Sequence, residues 1–170
     1  YERSIKGLLN SNINYERWEL NSEIFNDQQT AEFHFKFGTG VYTTKDSNGY
    51  FLDFENFRDN IIAGGWNDDW SGEFELLQQE TYNQSDYYIR ANMSYESPLL
   101  ILSWLPYVGK YMEMERINVS TLDVKGIHTY IEAGYSFTTR WFSFGMFASM
   151  KQWEFDSVGV KWGFELFRKW

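Results

Sequence analysis

Several features on which common classes of protein depend are missing from this chain. Its 170 residues include no cysteine, only two histidines and only two prolines. Without cysteine, the chain can form no disulfide, no thiolate metal site and no cysteine nucleophile. It also lacks a run of about 20 apolar residues, the length of a membrane-spanning helix. The longest apolar run, residues 98–108, is shorter than this and contains both prolines, so a helical membrane protein is excluded.

Basic charge and catalytic motifs are scarce as well. With 15 Lys and Arg against 24 Asp and Glu, the formal net charge is -9, whereas a nucleic-acid-binding protein needs a basic surface. His34 and His128 lack the spacing of zinc ligands, and no serine-nucleophile motif is present. The pair Glu113/Glu115 has the i, i+2 spacing that any strand shows on its polar face, so we interpret it as part of such a face and not as a glycosidase pair. We therefore expect no enzyme, no metal or cofactor, and no nucleic-acid partner.

Aromatic residues, in contrast, are abundant. They make up 21% of the chain, although its mean hydropathy is -0.52. Strands with one apolar and one polar face would produce this combination, because successive side chains of a strand point to opposite faces. Such alternation recurs in residues 31–41, 87–96, 131–137 and 142–150. Each run is about ten residues long, the length with which a tilted strand crosses a bilayer.

This alternation predicts an all-β fold, an antiparallel transmembrane β-barrel that occupies the whole chain, residues 1–170. A soluble β-sandwich or lipocalin-like barrel is the alternative, but so many Phe, Tyr and Trp side chains would overfill a small core. We expect the eight strands to be the C-terminal part of a larger barrel, although eight strands can also close alone. They are predicted near residues 5–20, 30–44, 72–81, 86–97, 111–122, 127–138, 141–152 and 157–169.

The C-terminal strand has the clearest pattern. From Val158 onwards, one parity is apolar throughout apart from Arg168. Outer-membrane barrels commonly end on such a strand, because it faces lipid and because the assembly machinery recognises a terminal aromatic residue. We therefore predict a location in the outer membrane of a Gram-negative cell, with lipid and the barrel assembly machinery as partners. The predicted assembly signal consists of Trp162, Phe164, Leu166 and Trp170.

Two predicted connections are long, residues 45–71 and residues 97–110. If the last strand runs towards the periplasm, both lie at the periplasmic end, unless the strand count is wrong by one. We interpret residues 45–71 as a plug or a docking surface for a partner, with an ordered structural loop as the alternative. Residues 97–110 are either a short interfacial helix, whose Trp and Tyr suit the membrane boundary, or a wedge at the barrel mouth. The candidate plug or partner residues are Phe57, Arg58, Asp59, Trp66, Asp68, Asp69 and Trp70.

Six short segments resemble one family of Bacteroidota outer-membrane proteins, in the order in which that family has them. The segments are Asn14–Asn21, Asp53–Arg58, Gly65–Asp68, Tyr95–Pro98, Glu132–Tyr135 and Phe164–Phe167. Members of the family have an N-terminal carboxypeptidase-like regulatory domain, followed by a C-terminal β-barrel of unknown function. The resemblance implies that these residues are the C-terminal part of a longer polypeptide. It implies no activity and no peptidase site.

The predicted function follows from the barrel and from the absence of a catalytic motif. We expect a non-enzymatic outer-membrane component that acts as a scaffold or accessory subunit of an envelope complex for export, assembly or uptake. The alternative is a passive channel for small solutes, which would need a wide, water-filled lumen and therefore further strands.

Overall fold

Eight strands and no α-helix make up the described part of this computed structural model, which covers residues 1–4, 15–28, 30–44, 74–77, 87–124 and 127–164. The first strand has only three residues, whereas the other seven have between 10 and 14. The strands are β1 (Glu2–Ser4), β2 (Tyr15–Gln28), β3 (Ala31–Thr44), β4 (Tyr87–Ser97), β5 (Met112–Val124), β6 (Ile127–Thr139), β7 (Phe142–Lys151) and β8 (Glu154–Phe164).

All eight strands belong to one antiparallel sheet, and each pairs with its neighbours in the sequence. The order across the sheet is β1 to β8 without a crossover. Within the described ranges, β1 and β8 are the two edges of the sheet. The predicted all-β, antiparallel architecture is therefore confirmed.

The register gives the sheet one polar and one apolar face. Because side chains alternate along each strand, residues that pair across neighbouring strands share a face. One row on the polar face consists of Lys36, Asn92, Ser120, Glu132, Ser149 and Ser157. The next row, on the apolar face, consists of Phe35, Met93, Val119, Ala133, Ala148 and Val158.

Burial of these faces is the reverse of that in a water-soluble antiparallel sheet. Asn92, Ser120 and Glu132 on the polar face are buried, whereas Met93 and Val158 on the apolar face are exposed. In a soluble sheet of this kind, the apolar face packs against a core and the polar face meets water. From β4 to β7, the sheet instead buries most side chains of its polar face and leaves those of its apolar face mostly exposed or half-buried, whereas residues 21–27 of β2 are exposed on both faces.

The predicted strand bounds agree closely with the structure from β3 to β7. Two strands differ at their ends. β2 continues to Gln28, where a connection from residue 21 was predicted, because the polar residues 21–28 remain paired with β3. β8 begins at Glu154, three residues earlier than predicted, and is described as far as Phe164. The remaining residues of that predicted strand, 165–169, lie outside the described residues.

The predicted third strand, residues 72–81, is wrong over the residues that the structure describes. Phe74–Leu77 contains an isolated bridge at Phe74, followed by bends. The prediction followed the apolar side chains of this segment, but these pack onto the sheet and do not form part of it. β3 pairs directly with β4, which leaves no position for a strand between them.

The direct pairing of β3 with β4 also corrects the placement of the two long connections. The connection 45–86 leaves β3 and enters β4 at the same end of the sheet, because the two strands are adjacent and antiparallel. Residues 98–111 and the turn 140–141 lie at the opposite end. The prediction that both long connections share one end is therefore wrong, and its reason is the extra strand at 72–81. We call these ends the 45–86 end and the 98–111 end.

Candidate functional site

A short piece of the long connection lies on the polar face of the sheet. We call Phe74–Leu77 the 74–77 segment. Its residues Phe74 and Leu77 are buried. They belong to an apolar cluster near the 45–86 end, to which β4, β5 and β6 also contribute. The other members are Tyr88, Leu122, Val124 and Tyr130. This apolar cluster on an otherwise polar face is the seat on which the segment packs.

Polar contacts from two strands fix the 74–77 segment. The Glu132 carboxylate on β6 accepts hydrogen bonds from the backbone N–H of Glu75 at 2.7 Å and of Leu76 at 3.0 Å. It also accepts one from the Tyr130 hydroxyl at 2.9 Å. The Lys161 ammonium on β8 forms an ion pair with Glu75. The segment is thus attached to two strands that are not neighbours in the sheet.

Glycines make room for large side chains on the polar face. A Cβ atom at Gly134 would collide with the Phe147 ring, and one at Gly40 would collide with the Tyr88 ring. A Cβ atom at Gly159 would collide with Leu76 of the 74–77 segment. The sequence therefore provides glycine where side chains of adjacent strands, or of the segment, cross the sheet. The described polar face is filled largely by the chain's own residues.

A second carboxylate holds the other long connection. Glu115 lies near the start of β5, and its register partner Phe137 places it on the apolar face. Its carboxylate accepts hydrogen bonds from four successive backbone N–H groups, at distances between 2.8 and 3.3 Å, and from the Tyr135 hydroxyl. Its exposed fraction is 0%. The four N–H donors belong to Leu100, Ile101, Leu102 and Ser103.

The residues that Glu115 holds form a compact, apolar segment. We call residues 98–111 the 98–111 segment; it contains two 3-10 turns, Leu102–Trp104 and Gly109–Tyr111. Trp104 is 78% exposed and Tyr107 is 81% exposed. The Tyr111 ring lies 6.2 Å from the ring of Trp141, in the turn between β6 and β7. The segment is therefore attached to the sheet through its backbone while its largest side chains face outward.

The apolar face has exposed aromatic residues near both ends, and its middle combines aliphatic and methionine side chains with aromatic ones such as Phe35. Trp18 and Phe155 are exposed near the 45–86 end, and Trp162 and Phe164 are exposed near the 98–111 end. Tyr111, Trp141 and Trp153, in or beside the connections at the strand ends, are also exposed. The middle of the face includes Ile24, Met93, Met146 and Val158, all exposed.

The predicted site residues fall only partly within the described residues. Trp162 and Phe164 of the predicted assembly signal share the apolar face, and their rings lie 5.3 Å apart. The other two members, Leu166 and Trp170, lie outside the described residues. So do all seven candidate plug or partner residues: Phe57, Arg58, Asp59, Trp66, Asp68, Asp69 and Trp70.

The described residues include neither a metal-binding cluster nor a membrane-spanning helix. There, no group of three or more His, Asp or Glu side chains is arranged to hold a metal ion. His34 forms a hydrogen bond with Glu23, its Nε2 lying 2.6 Å from Oε1. In the same ranges, no helix is both long enough and apolar enough to cross a membrane.

Sequence reasoning did not identify the two carboxylates that hold the connections. It placed Glu115, as one of the pair Glu113/Glu115, on the polar face of a strand, and this is wrong because the register places Glu115 on the apolar face. A signal was present, since Glu115 has the parity of Ile117 and Val119 and interrupts an apolar row. Glu132 carried no signal, because a carboxylate is ordinary on a polar strand face. Only the folded chain shows that each carboxylate accepts hydrogen bonds from the backbone of a loop.

The described residues define a class of protein: an antiparallel β-meander with an exposed apolar face and a filled polar face. The chain belongs to a family of unknown function, described as "Family of unknown function (DUF5686) C-terminal domain", whose model matches residues 1–137. The match covers β1 to β5 and all but the last two residues of β6. No curated protein and no solved structure matches the chain.

Proposed function

We propose that this chain is part of a β-barrel in the outer membrane of a Gram-negative bacterium and acts as a non-enzymatic scaffold or accessory subunit of an envelope complex. The observation that carries the proposal is the reversed burial of the two faces. In water, each large apolar side chain that stays exposed forgoes about 1.5–3 kcal/mol relative to burial. A face on which Leu20, Ile24, Met146 and Val158 are all exposed is therefore suited to lipid.

The distribution of residues on the apolar face supports a bilayer as its environment. Transmembrane barrels carry an apolar band about 25 Å tall between two girdles of aromatic residues. Here Met93, Met146 and Val158 occupy the middle of the face, and Trp18 and Trp162 lie towards opposite ends. The strand lengths of 10 to 14 residues suffice for a tilted crossing.

The filled polar face favours a scaffold over a channel. The 74–77 segment is attached to that face by Glu132 and Lys161. A passive channel for small solutes needs a continuous water-filled path, and this segment occupies part of the space such a path would use. The channel remains the second candidate, because Asn92, Ser94 and Ser120 give the face an uncharged polar stretch.

Several further features belong to the same proposal. Bilayer lipid, the barrel assembly machinery and other envelope proteins are the proposed partners. The chain is proposed to close a larger barrel, whose remaining strands would pair with the sheet edges β1 and β8. A Bacteroidota origin and an N-terminal carboxypeptidase-like regulatory domain are expected from the resemblance described above.

Purification of the full-length protein tests this function. A scaffold should remain in the membrane fraction, require detergent for extraction, bring stoichiometric partners in mild detergent and show no conductance in a planar bilayer. A protein that comes alone and conducts small solutes would replace the scaffold with the channel. Recovery in the aqueous fraction without detergent would overturn the membrane proposal altogether.

A further inference from the structure

We propose that the 98–111 segment rests in the lipid headgroup layer at its end of the barrel, and that Glu115 fixes it there. The inference rests on the proposed membrane location and adds a specific lipid contact to it. The proposed contact of the 98–111 segment is the interfacial layer of a bilayer rather than a partner protein.

The first argument is the position of Glu115. An ionised carboxylate on a lipid-facing surface is costly unless its charge is compensated by hydrogen bonds. Four backbone N–H groups and the Tyr135 hydroxyl provide this compensation. The same hydrogen bonds satisfy four backbone N–H groups that would otherwise be left unpaired beside lipid. The hydrogen bonds therefore compensate both the Glu115 charge and the backbone N–H groups of the segment at a lipid-facing position.

The second argument is the side chains that the attached segment presents. Leu99, Ile101 and Leu105 are exposed, and so are Trp104 and Tyr107. Trp and Tyr combine an apolar body with a polar tip, so they prefer the boundary between lipid and water. Because Glu115 lies on the apolar face, this surface continues that face at the 98–111 end. A wedge inside the barrel mouth would instead start from the polar face.

The third argument is charge. Within residues 98–111, Lys110 is the single charged residue. It is exposed, and its ammonium lies 4.9 Å from the centre of the Tyr111 ring. Lipid phosphates are anionic, so an apolar segment with one basic residue and no acidic residue complements a headgroup layer. The surface offers few polar side chains with which a folded protein partner could form specific hydrogen bonds.

Depth-dependent fluorescence quenching in the full-length protein tests the inference. The chain has no cysteine, so Trp104→Cys and Tyr107→Cys place an environment-sensitive NBD label at chosen sites, with the labelled parent protein as background. The vesicles contain phosphatidylethanolamine and phosphatidylglycerol, with nitroxides at the headgroup or deep in the acyl chains. Met146→Cys on the middle of the apolar face and Gln152→Cys in the turn at the other end are the reference sites.

The expected result is a depth order. Headgroup nitroxides should quench labels at 104 and 107 at least about twofold more than acyl nitroxides do, as for interfacial aromatic positions. The label at 146 should show the reverse order. If 146 follows this order while 104 and 107 are unquenched, the inference is overturned and the membrane proposal stands; shielding by a protein partner gives this result. If 104 and 107 are quenched mainly by acyl nitroxides, the interfacial depth is wrong. If 146 is not quenched, both proposals fail.

The part played by Glu115 is tested with the same labels. Glu115→Gln removes one acceptor oxygen, and headgroup quenching at 104 should fall by about half or more as the backbone attachment is lost. Glu32→Gln, an exposed carboxylate on β3, is the matched control and should change nothing. Tyr135→Phe removes one of the five donors, retains the carboxylate and should give a smaller decrease. Retained quenching at 146 shows that each variant is still inserted. Unchanged quenching at 104 in Glu115→Gln would overturn the role of this residue.

Discussion

Glu132 and Glu115 perform similar tasks on opposite faces of one sheet. Each accepts backbone hydrogen bonds from a long connection, and the two connections are held at opposite ends of the strands. The connection held by Glu132 is far away in the sequence, whereas the one held by Glu115 directly precedes its own strand. Glu132 binds two backbone N–H groups on the polar face, where the Lys161–Glu75 ion pair adds a further attachment. Glu115 binds four on the apolar face. With the hydroxyl donors Tyr130 and Tyr135 included, Glu132 accepts three hydrogen bonds and Glu115 accepts five. The comparison teaches that a carboxylate can lie on an apolar face when backbone donors replace the water it has lost.

Loss of the Glu115 carboxylate should have the largest effect. Glu115→Gln leaves one acceptor oxygen for five donors, and the amide N–H2 group faces N–H groups. We expect a destabilisation of about 2–4 kcal/mol, since hydrogen bonds to a charged group contribute about 1.5–3 kcal/mol each. Protease cleavage within residues 98–111 and urea unfolding in lipid vesicles would measure it. Equal cleavage of Glu115→Gln and Glu32→Gln would contradict the comparison.

Loss of the Glu132 carboxylate should have a smaller effect. Glu132→Gln retains one acceptor for the N–H groups of Glu75 and Leu76, and the apolar seat of Phe74 and Leu77 is unchanged. We expect about 1–3 kcal/mol, because fewer charge-assisted hydrogen bonds are lost. Urea unfolding gives the value, and pairing the change with Lys161→Met in a double-mutant cycle tests whether the two attachments act together. A cost above that of Glu115→Gln would reverse the proposed order.

Packing on the polar face can be separated from these attachments at Gly134. A methyl group there meets the Phe147 ring, so Gly134→Ala should cost about 1–3 kcal/mol through overpacking. Unfolding measurements on the single variant and on Gly134→Ala with Phe147→Leu provide the check. Recovery of stability in the double variant is expected, because the smaller side chain frees the space. An equal loss in both would show that the ring is not the cause.

Removal of the single charge in the 98–111 segment should have the smallest effect. One basic residue near an anionic membrane surface contributes about 1 kcal/mol. Lys110→Ala should therefore lower the preference of a label at Tyr107 for anionic over zwitterionic spin-labelled lipids by at most about fivefold. Lys151→Ala, an exposed lysine at the other end of the sheet, is the control. If Lys151→Ala lowered this lipid preference more than Lys110→Ala does, the contact of the 98–111 segment with anionic lipid would be contradicted.

The sequence predicted the sheet better than it predicted the loops. Alternation located β3 to β7 because period-2 patterns report which face a strand residue occupies. The same rule failed at residues 72–81. Phe74 and Leu77 are apolar because they pack onto a face of the sheet, and they do not belong to a paired strand. It also ended β2 too early, since residues 21–28 are polar although they are paired.

The candidate site was less accessible from the sequence, for a physical reason. The attachments by Glu115 and Glu132 join a side chain to backbone N–H groups, and every residue except proline has such a group. The residues that donate these hydrogen bonds therefore cannot be recognised from their amino-acid type. The depth and orientation proposed for the 98–111 segment depend on contacts of this kind, which only the folded chain reveals.

This form of attachment has a consequence for how the segment can vary. The four hydrogen bonds that Glu115 accepts from residues 100–103 all come from their main chain. The segment is thus exchangeable: other sequences could occupy the same place, provided that they supply four successive N–H groups and no proline at these positions. A single acceptor at this position could hold loops with different outward side chains. The sheet would then stay the same while the exposed side chains of the 98–111 segment differ from one sequence to another.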